Sequence, residues 1–106
     1  MAGEKAHDEL ADALRRRIRE SGVIAADLRA AILAGGEDAA EPFRSLARTV
    51  EDSSYRVTDA QVVEVRESAG SERAAFEVVM TASAAAGLRR WDAAFRAIAE
   101  ATDASA

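Results

Sequence analysis

His7 is the only histidine of the chain and stands among the carboxylates Asp8, Glu9 and Asp12. A metal site or general base built on it needs those acids or distant ones as partners, because there is no second His and no Cys. A structural or merely exposed histidine near the start of a helix is the better reading. Arg15-Arg16-Arg17 and Arg19 form the densest basic run and could hold a phosphate. Spread around a helix beside Asp8, Glu9, Asp12 and Glu20, they read instead as an ion-paired, solvated face. Arg89-Arg90-Trp91-Asp92 is the most distinctive tetrapeptide. Arg89 or Arg90 could contact an anion or pair with an acid of a neighbouring helix, and Trp91 suits a ligand pocket, a protein interface or ordinary core packing. Acids also come in close pairs, at Glu37/Asp38, Glu51/Asp52 and Glu64/Glu67. Acid–base chemistry needs one buried enough to titrate near neutrality. Glu77, between Phe76 and Val78-Val79-Met80, and Asp59 are the candidates for that role; a helix-flank Glu77 bonded to an arginine is the plainer reading. The glycine-rich, zinc-protease and nucleophile-elbow motifs are absent, and no metal or cofactor is implied.

Five helical segments must position these groups. Leu10, Leu14 and Ile18 recur at four-residue steps with His7 and Ala11 alongside, which predicts a helix from about Glu4 to Glu20, stopped at Ser21-Gly22. A short second helix carries Leu28, Ala31 and Ile32 inward and stops at Gly35-Gly36. Pro42, the only proline, starts a third with Phe43, Leu46, Ala47 and Val50 on one stripe. Thr58-Asp59-Ala60-Gln61 is a capping box opening a fourth helix, with Val62, Val65, Arg66 and Ala69 on one face. Its valines leave a strand as the minor alternative. Gly70 stops it and Ser71 caps a fifth, from about Glu72 to Ala101, with Thr102 to Ala106 expected to fray. Phe76, Val79, Met80, Leu88, Trp91, Phe95 and Ile98 keep to one broad face of this last helix. Its middle, Thr81 to Gly87, has no large side chain, so another backbone could approach closely there, and Gly87 could break or bend it.

The chain has 106 residues, 14 Lys+Arg against 19 Asp+Glu, and no Cys. That length fills one domain, 1–106. Alanine accounts for 27 of the apolar residues and leaves 25 larger ones, a thin core that makes burial between chains attractive. Disulfide scaffolds and thiol chemistry are excluded. A net charge of −5 argues against nucleic acid and anionic membranes as partners. With no apolar run of about 18 residues and a polar, mixed-charge start, a soluble cytoplasmic protein is expected.

The stretch from Tyr55 through Ala69-Gly70, then Ser71-Glu72-Arg73-Ala74-Ala75-Phe76-Glu77 and Ala84 to Arg90, resembles the carboxymuconolactone decarboxylase and alkylhydroperoxidase-D-like family over roughly residues 41–100. The resemblance implies an all-α fold, here a compact bundle of about five helices with a long C-terminal helix, and assembly as a trimer or hexamer. It does not carry an active site. The C-x-x-C-x-x-x-H motif of the redox branch would fall near Ser54, Val57 and Gln61, none of which is a thiol or a histidine base. The decarboxylase branch resembles a site using histidine and acids, and no His lies beyond residue 7.

Three functional readings follow. The leading one is a redox-inactive helical subunit of this family acting by homo-oligomeric assembly or binding, with Phe76, Met80, Leu88, Trp91 and Phe95 as contact residues and Ala84 to Gly87 allowing close approach. The second is a lyase or decarboxylase acting on an anionic organic acid held by Arg89 or Arg90, with Glu77 or Asp59 moving protons. The third is a protein partner of a larger enzyme that supplies the chemistry.

Overall fold

The computed structural model describes residues 2–105, with side chains placed for 5–103. The elements are α1 (Ala2–Glu20), α2 (Ala26–Leu33), α3 (Phe43–Ser53), a single 3-10 turn (Ser54–Arg56), α4 (Asp59–Ala69) and α5 (Glu72–Ser105). No strand occurs among the described residues, so the valines of the fourth segment sit in a helix. The capping box explains why. The Thr58 side chain accepts from the Gln61 amide at 3.1 Å, and the Gln61 side chain accepts from the Thr58 amide at 3.1 Å. Two orphan donors of the first turn are thereby satisfied. Gly70 ends α4 in the left-handed conformation at φ 94°, and Ser71 starts α5 by accepting from the Ala74 amide at 3.0 Å.

At 34 residues, α5 is about 51 Å long and serves as the mast of the fold. α2, α3 and α4 pack around its N-terminal half, and α1 lies against α2 and along α5. Ile24, Ile32, Phe43, Leu46, Val50, Val65 and Val78 form the core with small α5 residues between them, Ala74, Ala75, Ala82 and Ala86. The whole third-helix stripe is buried, as its spacing predicts.

Several sequence expectations shift in the folded chain. α5 runs past Ala101 to Ser105, where alanine favours continuation; the Thr102 hydroxyl donates to the Ile98 carbonyl at 2.9 Å, and Ala106 of the expected frayed end lies outside the described residues. It is unbroken at Gly87. The small-residue stretch is largely used inside the chain. Ala85 and Ala86 are buried, while Ala84 is half-buried and Gly87 exposed. On α4, Val65 faces the core but Val62 and Val63 stay exposed. Among the described residues no helix is long and apolar enough to cross a membrane.

Candidate functional site

The groups able to do chemistry gather in three places around α5. The first joins α1 to its C-terminal half. His7 is only 6% exposed. Its ring stacks on Phe95 at 4.1 Å between centroids with planes 7° apart, and lies 5.3 Å from Trp91. His7 Nε2 bonds Asp92 Oδ1 at 3.0 Å, while Arg15 donates to Asp92 Oδ2 at 2.5 Å. Arg15 also faces Asp12 at 3.6 Å, one helical turn back. Partial burial pushes the Asp92 carboxyl up, but hydrogen bonds from Arg15 and His7, with the Arg15 charge, outweigh it and hold the group below its ordinary value. An open cleft of about 390 Å³ adjoins these residues, with Asp8 and Arg96 on its rim. Its cations and acids offset one another. Asp92 spends both oxygens on the two donors from α1, so the cluster acts as a tether between helices rather than as a poised base.

The second place is the α1–α2 connection. Glu77 on α5 accepts from the Val23 amide at 2.9 and 3.2 Å and from the Ile24 amide at 2.7 Å. Arg29 is buried and donates to the carbonyls of Ile24 at 2.6 Å and Arg19 at 3.0 Å. One acid and one base thus satisfy two amides and a carbonyl of the loop and a carbonyl in the last turn of α1. Glu77 therefore bonds backbone amides, not the arginine that sequence suggests. Arg29 carries no local signal, since its apolar helix position and loop partners are visible only in the fold.

The third place ties α5 to α3. Arg89 donates to the Glu51 carboxylate and Arg90 to the Glu51 backbone carbonyl. The hydrogen bond from Arg89, aided by the Arg89 and Arg90 charges and opposed by burial, holds the Glu51 carboxyl below its usual range. This is the helix-to-helix pairing anticipated for these arginines. The structure does not bring them to a candidate acid. Glu77 lies 12 residues up the same helix, about 18 Å away along its axis. Asp59 is exposed in the first turn of α4.

Of the five proposed contact residues, three are well exposed: Phe76 at 65%, Met80 at 51% and Trp91 at 53%. Leu88 is buried and forms part of the wall of the depression that Leu10, Leu14 and Trp91 line. Phe95 is half-buried under His7. Two residues expected to face inward join the exposed set, because α5 covers the His7–Ala11 edge of α1 and leaves Leu10 at 69% and Leu14 at 44%. Leu10, Leu14 and Trp91 line one apolar depression, Leu14, Ile18 and Met80 a second, and Val23, Phe76 and Met80 a third. Shared residues run these into one groove along α1 and α5.

The depressed carboxyls give a pH dependence with a defined sign. Asp92 and Glu51 contribute stability at neutral pH that persists above their ordinary values near pH 4 and is lost as pH falls through the lower folded values. Urea unfolding of the wild type and of the Asp92→Asn/Glu51→Gln variant should show the largest stability gap at pH 7 and a much smaller one at pH 3. A gap that stays constant with pH would remove these ion pairs from the account.

Comparison with known proteins returns no family model, no curated protein and no solved structure that matches this chain.

Proposed function

We propose that this chain is a non-catalytic helical subunit that works by assembly through its α1/α5 face, and that it is a redox-inactive relative of the carboxymuconolactone decarboxylase and alkylhydroperoxidase-D-like proteins. The observation that carries the assembly reading is the apolar groove with Leu10, Leu14, Phe76, Met80 and Trp91 exposed along it. Contiguous exposed apolar surface of this kind, rimmed by charge, marks interaction sites. The ionisable groups support the non-catalytic half of the reading. Glu77, Arg89, Asp92 and His7 each have a partner that holds one element to another. The family assignment rests on the residue pattern of 55–90, which is compatible with an all-helical chain.

Native mass spectrometry of the purified protein tests the reading. The expected result is a homo-oligomer, with Trp91→Ala shifting the distribution toward the 11.2 kDa single chain. A wild type that stays at one chain under all conditions, or a Trp91→Ala variant with unchanged assembly and melting, counts against it.

A further inference from the structure

We infer that two copies of this chain pair about a two-fold axis with their α1 helices antiparallel, the Leu10–Leu14 row of one copy lying on that of the other. The inference rests on the assembly reading above and adds the partner, the surface and the register.

Area gives the first argument. The chain exposes 6933 Å². A folded monomer of 11.2 kDa exposes about 5,700 Å² by the usual scaling with mass. The excess, about 1,200 Å², goes with an elongated shape of 53 × 28 × 19 Å, and a copy lying side by side along the long helices has room for the roughly 800 Å² that each partner gives to a standard interface. Among the described residues, six of the ten exposed large apolar side chains, Leu10, Leu14, Val23, Phe76, Met80 and Trp91, line the α1/α5 groove.

Charge selects the occupant. Along α1 the first half carries Glu4, Asp8, Glu9 and Asp12 against the single base Lys5, and the second half Arg15, Arg16, Arg17 and Arg19 against the single acid Glu20. Such a helix repels a parallel copy of itself and attracts an antiparallel one, since each acidic half then faces a basic half. An isologous contact needs this self-complementarity, in which residue i meets j and j meets i. The detail agrees. Arg17 lies seven residues after Leu10, hence in the same row, and Glu9 borders that row. Among the described residues, neither Glu9 nor Arg17 has an ion-pair partner in its own chain. With the axis near residues 12–13, Arg17 of each copy comes within reach of Glu9 of the other. Ala6 and Ala13, both exposed, edge the row and permit close backbone approach.

Cysteine cross-linking and charge reversal test this on the full chain. Because the protein has no Cys, Ala13→Cys introduces one thiol beside the axis. Mild oxidation should convert it to a covalent dimer, while the equally exposed Ala60→Cys on α4 stays single. Glu9→Arg and Arg17→Glu should each weaken self-association at least about tenfold in analytical ultracentrifugation, and an equimolar mixture of the two should regain it. Both positions are exposed, and circular dichroism reports whether the variants remain helical. An assembly of two or six chains fits two-fold pairing. An oligomer of three chains, or one that ignores both reversals and leaves Ala13→Cys unlinked, overturns the register while leaving assembly standing. A wild type that is a single chain at every concentration overturns both.

Discussion

Replacing Glu77 by alanine lowers the free energy of unfolding by about 3 kcal/mol, the loss expected when charge-assisted hydrogen bonds to two backbone amides are removed. The carboxylate is the acceptor for Val23 and Ile24, more than 50 residues away in sequence. Without it, the two amides must find water, and Ile24, a core residue, loses the anchor that holds it against α5. Glu77→Gln keeps one acceptor oxygen and loses the charge, so it falls between. Glu64→Ala, an exposed acid on α4, should stay within about 0.5 kcal/mol of wild type. Urea midpoints at unchanged slope measure all three. A Glu77→Ala midpoint equal to that of Glu64→Ala would show that this carboxylate does not hold the loop.

The second large effect comes from the opposite side of the same contact. Gly22→Ala costs about 3 kcal/mol, for two separable reasons. Gly22 adopts φ +146°, where a side chain is strained, and a Cβ built there would lie 1.7 Å from Glu77 Oε1. To make room, Glu77 must swing away and abandon the amides. In a Glu77→Ala background the backbone strain and a close approach to Arg29 Nη1 at 3.0 Å remain but the clash with the carboxylate is gone, so the double variant should be more stable than the sum of the singles predicts by about 1–2 kcal/mol. Strict additivity would mean that Gly22 and Glu77 do not compete for the same space.

The local signals of this fold are legible without coordinates. Thr58 and Gln61 carry their capping box within four residues, Gly70 and Ser71 mark a stop and a start, and Phe43, Leu46, Ala47 and Val50 repeat with the period of one buried stripe. Each depends on bonds or side-chain directions inside a turn or two of helix, which sequence spacing encodes directly. Helix existence follows from the same local physics, whereas the bond from Arg89 to an acid on another helix is legible in kind only, and Arg90 goes to a backbone carbonyl instead.

The site is another matter. The Leu10–Leu14–Ile18 row of α1 is apolar by sequence, yet α5 covers the adjacent His7–Ala11 edge and leaves Leu10 exposed. Periodicity names a face about 100° wide, whereas the angle at which a neighbouring helix crosses decides which edge is shielded. Likewise, nothing near His7 announces Asp92, 85 residues on, and nothing near Glu77 announces the amides of Val23 and Ile24. Sequence determined an all-helical chain with its stops, its cysteine-free chemistry and its excess of small apolar residues, because these are properties of composition and of single turns. Tertiary structure alone decided that Glu77, Arg29, Asp92 and Arg89 are spent on holding elements together and that Leu10, Leu14, Phe76, Met80 and Trp91 are left exposed along α1 and α5, because both depend on which distant surfaces meet.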